Sequence, residues 1–350
     1  MPAAPSSLTN PAIGQLLTVV QALDGERARL LQALAAVPDP RARRGVRHRL
    51  AVILGLAVCA VLAGARSFTA IAEWAADADP ATRDALEITG VVPSESTFRR
   101  TLQNLDADAP DEAAGAWAQQ RTAPPPGARR MIAVDGKTLR GSGVAGGPGR
   151  HLLAALDHAH GVVLGQVDVE AKTNEIPMFA TLLDGVDLAG TVVTADALHA
   201  QRAHAECLAG QRGAHYLITV KRNQPGLHAQ LAALPWRQVP AAHDAREKGH
   251  GRAEWRTVKV TATATQARPA ELAAIIRGHW LIEDRLHWVR DMDWDEDRSQ
   301  VRTGNGPRVM ASLRNLAITV LRLTGQTSIA AALRYHARRP GRPLQTIMNC

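Results

Sequence analysis

Two short apolar runs, Ile132 to Val134 and Val192 to Ala195, each end on an aspartate, Asp135 and Asp196. Runs of this length, rich in β-branched residues and bounded by turn-forming text, read as buried strands. Two such strands with a helical stretch between them draw the chain toward an α/β sheet, whose reacting groups gather beyond the carboxyl ends of its strands. The neighbouring text agrees. MIAVDGKTLRG reads as a strand, residues 141–149 as a Gly-rich turn, and HLLAALDHAHGVVLGQVDV as two strands around a turn at His160 and Gly161. EIPMFATLLDGV follows as a helix, GTVVTADALHA as a strand, RAHAECLAG as a helix and AHYLITVKRNQ as a strand. The expected fold class is α/β, a mixed sheet preceded by a mostly helical N-terminal region.

That N-terminal region carries apolar residues at mostly helical spacing over residues 12–37, then five arginines and a histidine between positions 41 and 49. Arg43, Arg44 and Arg47 in this cluster suit phosphate groups, and a solvated linker is the competing reading. Short helices are expected from Ser67 to Trp74 and near Ala81 to Glu87, then a Gly90 turn, then a third helix, SESTFRRTLQNL, capped by Ser94. Arg99 and Arg100 on this last helix fit a helix-turn-helix reader of DNA, although many three-helix arrays bind nothing. Residues 107–113 and the stretch RTAPPPGAR read as a linker, which puts a domain boundary near 125. Beyond it, residues 126–226 are expected to form the first part of the core. Residues 227–270 form a connecting segment, and 271–350 carry C-terminal helices, among them Ala270 to Arg290 and Pro307 to Leu323.

Composition narrows the function. Lys and Arg number 41 against 33 Asp and Glu, a formal charge of +8, which suits a polyanionic partner. The longest uncharged apolar run, Leu50 to Ala65, has sixteen residues. That falls short of the ~20 a helix needs to cross a bilayer, so a buried helix is expected and no membrane partner. Cys59, Cys207 and Cys350 are odd in number and far apart, which argues against a disulfide framework and for a reduced, cytoplasmic protein. The first residues lack the pattern of a signal peptide. Gly136, Lys137 and Thr138 resemble the end of a P-loop, but the glycine that motif needs at 131 is Met131, so no nucleotide cofactor is expected.

A lone aspartate at a strand end is more often a turn former than a ligand, and the pairing of two raises the functional reading only in part. A third element adds to it. In IRGHWLIEDRLHWVRDMDWDED, residues His279, Glu283, His287 and Arg290 share a helical face, beside an apolar stripe of Ile282, Leu286 and Val289. An exposed face of paired charges is the ordinary alternative, and zinc a weaker one in the absence of HExxH or CxxC spacing. Three carboxylates without cysteines favour Mg²⁺, with Mn²⁺ as the alternative ion. Two such ions could support an in-line phosphoryl displacement.

The stretches DPRARRGVRHRL, PSESTFRRTL, IAVDGKTLRG, VDVEAKTNEIP, TADALHAQ, HYLITVKRNQPGL, KGHGRAE, RGHWLIEDRLHWVRD and VRTGNGPRVMASLRNLAI together sample most of the chain. In them the chain resembles the H-repeat-associated transposases, a branch of the DDE superfamily encoded by bacterial insertion sequences. The resemblance implies an RNase H-like core with a triad of Asp135, Asp196 and Glu283 as catalytic residues and metal ligands. It implies DNA as partner, both terminal inverted repeats and target, with a homodimer to pair the two ends and a place at the nucleoid. Related transposases carry a lysine seven residues after the glutamate, where this chain has Arg290, so Arg290 is expected at the DNA backbone, with Lys221, Asn223 and Gln224 as further contacts. Members of the branch also carry a longer segment before the glutamate helix. Between Glu254 and Arg277 this chain is short, which implies an internal deletion with VKVTATA as a remnant strand and leaves a decayed, non-catalytic DNA-binding derivative, or a nuclease that joins nothing, as rivals.

Overall fold

The computed structural model describes residues 30–44, 46–143, 147–169, 173–249, 252–261 and 268–350. The helical reading of residues 12–29, part of the turn at 141–149 and the last three residues of VKVTATA lie outside them.

Among the described residues six helices come first: α1 (Leu30–Ala35), α2 (Leu50–Leu62), α3 (Phe68–Ala76), α4 (Pro80–Ala85), α5 (Glu95–Asn104) and α6 (Asp108–Arg121). The apolar run in α2 is buried from Val52 to Leu62, as a helix without a polar face must be. Ser67 caps α3 by accepting from the Ala70 amide at 3.2 Å, and Asp79 caps α4 from the Thr82 amide at 2.8 Å. Ser94 precedes α5 as expected, but its hydroxyl bonds the Ser96 and Thr97 hydroxyls rather than a backbone amide. Residues 108–113, expected as linker, are instead the first turns of α6. Asp108 and Asp111 favour a helix N-terminus, Pro110 is tolerated in a first turn, and Trp117 and Ala118 bury the helix from the other end.

A five-stranded sheet follows. Strands β1 (Met131–Leu139), β2 (Arg150–Asp157) and β3 (Val163–Val169) form an antiparallel meander. After helix α7 (Met178–Leu183), β4 (Val192–Ala195) lies parallel to β1. After helix α8 (Arg202–Ala205), β5 (His215–Ile218) lies parallel to β4. The order β3-β2-β1-β4-β5, three antiparallel strands and then two reached by crossovers, is an RNase H-like mixed sheet. Helix α6 crosses β3 so closely that a Cβ on Gly115 would stand 2.2 Å from the Leu164 carbonyl oxygen. The N-terminal helices and the sheet thus share one apolar core.

Past helix α9 (Pro225–Ala232), strands β6 (His243–Gly249) and β7 (Arg252–Val258) make a separate hairpin. The strand expected at VKVTATA therefore ends at its first residue, Val258. The chain returns to the sheet as α10 (Pro269–His279), a π-helical turn over Glu283–His287, and α11 (Trp288–Trp294). It closes with α12 (Gly306–Leu323), α13 (Ile329–Ala337) and α14 (Gly341–Met348). No described helix is long and apolar enough to cross a membrane.

Arg290 overturns an expectation. It is 1% exposed and donates to Glu296 at 2.8 Å, Asn315 at 3.1 Å and Gln166 at 3.2 Å. Glu296 is 2% exposed and also takes Arg314 at 2.7 Å. Burial alone would raise the Glu296 carboxyl, but the two arginines hold it below its usual range. A buried carboxylate between two buried guanidiniums leaves an uncompensated charge when any member is removed. Glu296→Ala should therefore destabilise the fold by about 3–5 kcal/mol in urea unfolding. A loss below about 1 kcal/mol would show that the network is not holding the C-terminal helices to the sheet.

Candidate active site

Asp135 does not end its strand. β1 runs on to Leu139, but its parallel pairing with β4 stops at Val134 opposite Ala195, one residue before each aspartate. Asp135 and Asp196 therefore stand side by side where β4 leaves the sheet. Asp196 turns into a short 3-10 turn, Ala197–His199, and its carboxylate accepts the Leu198 amide at 2.8 Å.

Alternation along β1 puts Asp135 and Lys137 on one face and Gly136 and Thr138 on the other. The helical segment from α10 to α11 covers the first face. His279 bonds Thr194 of β4 at 3.2 Å, and buried His158, pushed down to about 4 by burial, reaches the same hydroxyl at 3.3 Å. Gly278 is needed for this fit, because a Cβ there would meet the His158 ring at 2.4 Å. One turn on, the π-helical turn inserts an extra residue and brings Glu283 and His287 over Asp135; such insertions in helices often mark functional sites. Asp291 then pairs with Lys137.

His287 Nδ1 lies 3.1 Å from Glu283 Oε2 and 3.6 Å from Asp135 Oδ2, and one ligand atom from each of the three falls within 4.8 Å of the others. Burial raises the Asp135 carboxyl; His287 opposes that, while Glu175 and Asp196 add to it. The His287 hydrogen bond lowers Glu283. Two carboxylate oxygens and an imidazole nitrogen make a donor set for a divalent cation, and the repulsion around Asp135 is what such a cation would relieve. The donor set therefore fits a metal at Asp135, Glu283 and His287, with Asp196 adjacent.

In the sequence reading His287 enters only through the weaker zinc alternative for the glutamate helix, and Glu175 takes no role although it lies within the motif VDVEAKTNEIP. The other expected residues are dispersed. Lys221 is exposed, Asn223 donates to the Ala197 carbonyl at 2.6 Å, and Gln224 reaches Gln201 at 3.5 Å, so this loop braces the turn after Asp196. Arg43 is exposed, and Arg99 is exposed and paired with Glu95. Arg44, Arg47 and Arg100 line a groove of about 960 Å³ together with Arg41 and His48, so two basic clusters distant in sequence meet in one place.

With this geometry in view, the comparisons with known proteins decide the family. A model of the transposase DDE domain matches residues 126–320, and a model described as DDE_Tnp_1-associated matches residues 31–118. The chain belongs to the DDE transposase family. Its H-repeat-associated branch is borne out by YhhI of Escherichia coli strain K12, provisionally named an H repeat-associated transposase, which is 27% identical over 369 positions. The match covers 90% of this chain and 95% of that protein. YncI of Escherichia coli O157:H7, also provisionally named a transposase, is 30% identical over 342 positions, covering 84% of this chain and 87% of its own length. The span aligned with YhhI exceeds the part of this chain it uses, so YhhI carries residues that have no counterpart here. A piggyBac transposase, solved as a synaptic complex with hairpin DNA, matches 91% of this chain and 78% of its own with a TM-score of 0.42 and 13% identity.

Gly136, next to Asp135 in this DDE transposase, tests how tightly the strand is held. A Cβ there would stand 2.1 Å from Glu175 Oε1 and 2.7 Å from His151 Nε2, and both atoms are fixed by a mutual hydrogen bond. Gly136→Ala should cost about 1–3 kcal/mol in thermal or urea unfolding, as overpacking does; a variant as stable as wild type would show that Glu175 moves aside freely.

Proposed function

We propose that this transposase cuts DNA at the ends of an insertion sequence and joins the freed 3′ ends to target DNA by metal-dependent phosphoryl transfer. The observation that carries the reading is the convergence of Asp135, Glu283 and His287 on one point beside Asp196, on a DDE domain. Asp135, Asp196 and Glu283 would hold Mg²⁺ or Mn²⁺, with His287 as a nitrogen donor. A divalent cation in that place lowers the pKa of an attacking hydroxyl or water and offsets charge on the leaving oxygen. The residues themselves do the rest. Lys137, paired with Asp291, fixes the strand under the glutamate helix, and His279 ties the same helix to β4. No covalent bond between protein and DNA is required.

The DNA-binding role falls to residues 1–125, through the groove of Arg41, Arg44, Arg47, His48 and Arg100, with Arg43 and Arg99 at its margin. Lys221 and its loop supply a second contact near Asp196. Terminal inverted repeats and target DNA are the partners, two copies pair the ends, and the cytoplasmic nucleoid is the place of action. A second reading has an observation of its own. The residues that YhhI carries and this chain lacks favour a decayed derivative that binds ends without cutting.

Cleavage of DNA bearing the element's terminal repeats, in Mg²⁺ or Mn²⁺, separates the two. Asp135→Ala, Asp196→Ala or Glu283→Ala should abolish cleavage and strand transfer and leave DNA binding intact. Substantial cutting by any of them would remove that residue from the site, and a wild type that binds but never cuts would establish the decayed reading. Arg44→Ala and Arg100→Ala should each reduce the slope of log affinity against log salt by about 1 across all sequences, as loss of a phosphate contact does. An unchanged slope in both would place the DNA elsewhere.

A further inference from the structure

Behind β1, on the face opposite the glutamate helix, Glu175 is held from two sides. Its side chain is 14% exposed, and each oxygen has its own histidine: His151 Nε2 donates to Oε1 at 2.7 Å, and His199 Nε2 to Oε2 at 3.1 Å. His151 stands on β2 opposite Thr138 of β1 and bonds that hydroxyl through Nδ1 at 2.9 Å. His199 is fully buried and is the last residue of the 3-10 turn that begins at Asp196. Phe179 and His204 pack against its ring, with centroids at 4.8 Å and 5.3 Å, and His204 Nε2 donates to the Ile176 carbonyl at 3.0 Å. Glu175 Oε1 fills the space a Cβ on Gly136 would need. One carboxylate therefore touches the strand of the first aspartate and the turn of the second. Burial alone would raise it, but the two histidines pull it down to about 2, so it stays ionised beside Asp135.

We propose that Glu175 is a positioning residue for the metal-holding aspartates, clamping β1 at Gly136 and the turn at His199 so that Asp135 and Asp196 keep the spacing at which a divalent cation binds. The proposal rests on the reading of Asp135, Asp196 and Glu283 as ligands. Glu175 spends both oxygens on histidines and is not itself a ligand. It acts through geometry and through a fixed negative charge that favours a cation nearby.

Mn²⁺ binding to the full chain, followed by loss of the free-ion signal in electron paramagnetic resonance, tests this without reference to turnover. The comparison is wild type, Asp135→Ala, Glu175→Gln and Glu175→Asp, each with its melting temperature and its affinity for terminal-repeat DNA. Asp135→Ala should lose the tight site. Glu175→Gln, close to isosteric and able to fold where alanine fails, should weaken Mn²⁺ binding by about 10–100-fold, the cost of losing a residue that orients ligands, with DNA affinity unchanged. Glu175→Asp keeps the charge and should recover part of the loss. Wild-type Mn²⁺ affinity in Glu175→Gln, beside a clear loss in Asp135→Ala, overturns the positioning role and leaves the ligand reading standing. A lower melting temperature with unchanged Mn²⁺ affinity also overturns it, since that is a structural role alone. Equal Mn²⁺ binding by wild type and Asp135→Ala defeats the ligand reading and this proposal together.

Discussion

The helix that carries Glu283 stays over β1 because of a charge buried beyond its end. Glu296 sits 2% exposed among Arg290, Arg314, Gln166 and Asn315, drawn from α11, α12 and β3. Removing ions from water is costly, and the arrangement is tolerable only with every partner in place. That requirement fixes direction as well as distance: the guanidiniums of Arg290 and Arg314 meet the carboxylate, and the Gln166 and Asn315 amides meet Arg290, at one orientation of α11 against α12 and the sheet. From there back to His279 the helical segment has little freedom. Glu283 and His287 meet Asp135 as a consequence of that anchoring and of the π-helical turn that rotates them inward.

Much of the sheet was legible in the sequence because its strands obey simple rules. Ile132 to Val134 and Val192 to Ala195 are apolar on both sides since helices cover both faces, and the turn at Gly161 adopts a positive φ of 66° that glycine takes freely. The hairpin strand β6, His243–Gly249, was not legible, because HDAREKG offers no apolar alternation. Helix α6 was hidden by its own first turn: aspartates and a proline suit a helix N-terminus and a linker equally well.

In the candidate site the acids stand out in the sequence, and what surrounds them does not. Asp135, Asp196 and Glu283 follow recognisable text, and strand register and helix packing put them close. Arg290 shares a helical face with Glu283 in a flat projection, yet the π-helical turn and the pull of Glu296, six residues on, turn it into the core. A face drawn from spacing says which residues are neighbours and leaves open which neighbour is buried. Glu175 was missed for the converse reason. Its partners come from β2 and from the turn after β4, so nothing local in TNEIP marks it as part of the site.

On the proposed reading these two carboxylates divide the work of holding the centre. Glu296 fixes the glutamate helix from one face of the sheet through the guanidiniums of Arg290 and Arg314. Glu175 braces β1 and the Asp196 turn from the other face through histidines, which are shorter, planar and fitted to a gap that only glycine leaves open at 136. Asp135 stands between the two supports, raised by burial and further by Glu175 and Asp196, with His287 opposing that shift. Such repulsion is sustained by the surrounding packing, and relief by a cation is then coupled to binding rather than to folding. On the proposed function, a centre braced from both faces would accept an ion with little rearrangement, the condition under which binding energy would go into orienting a scissile phosphate instead of ordering the site.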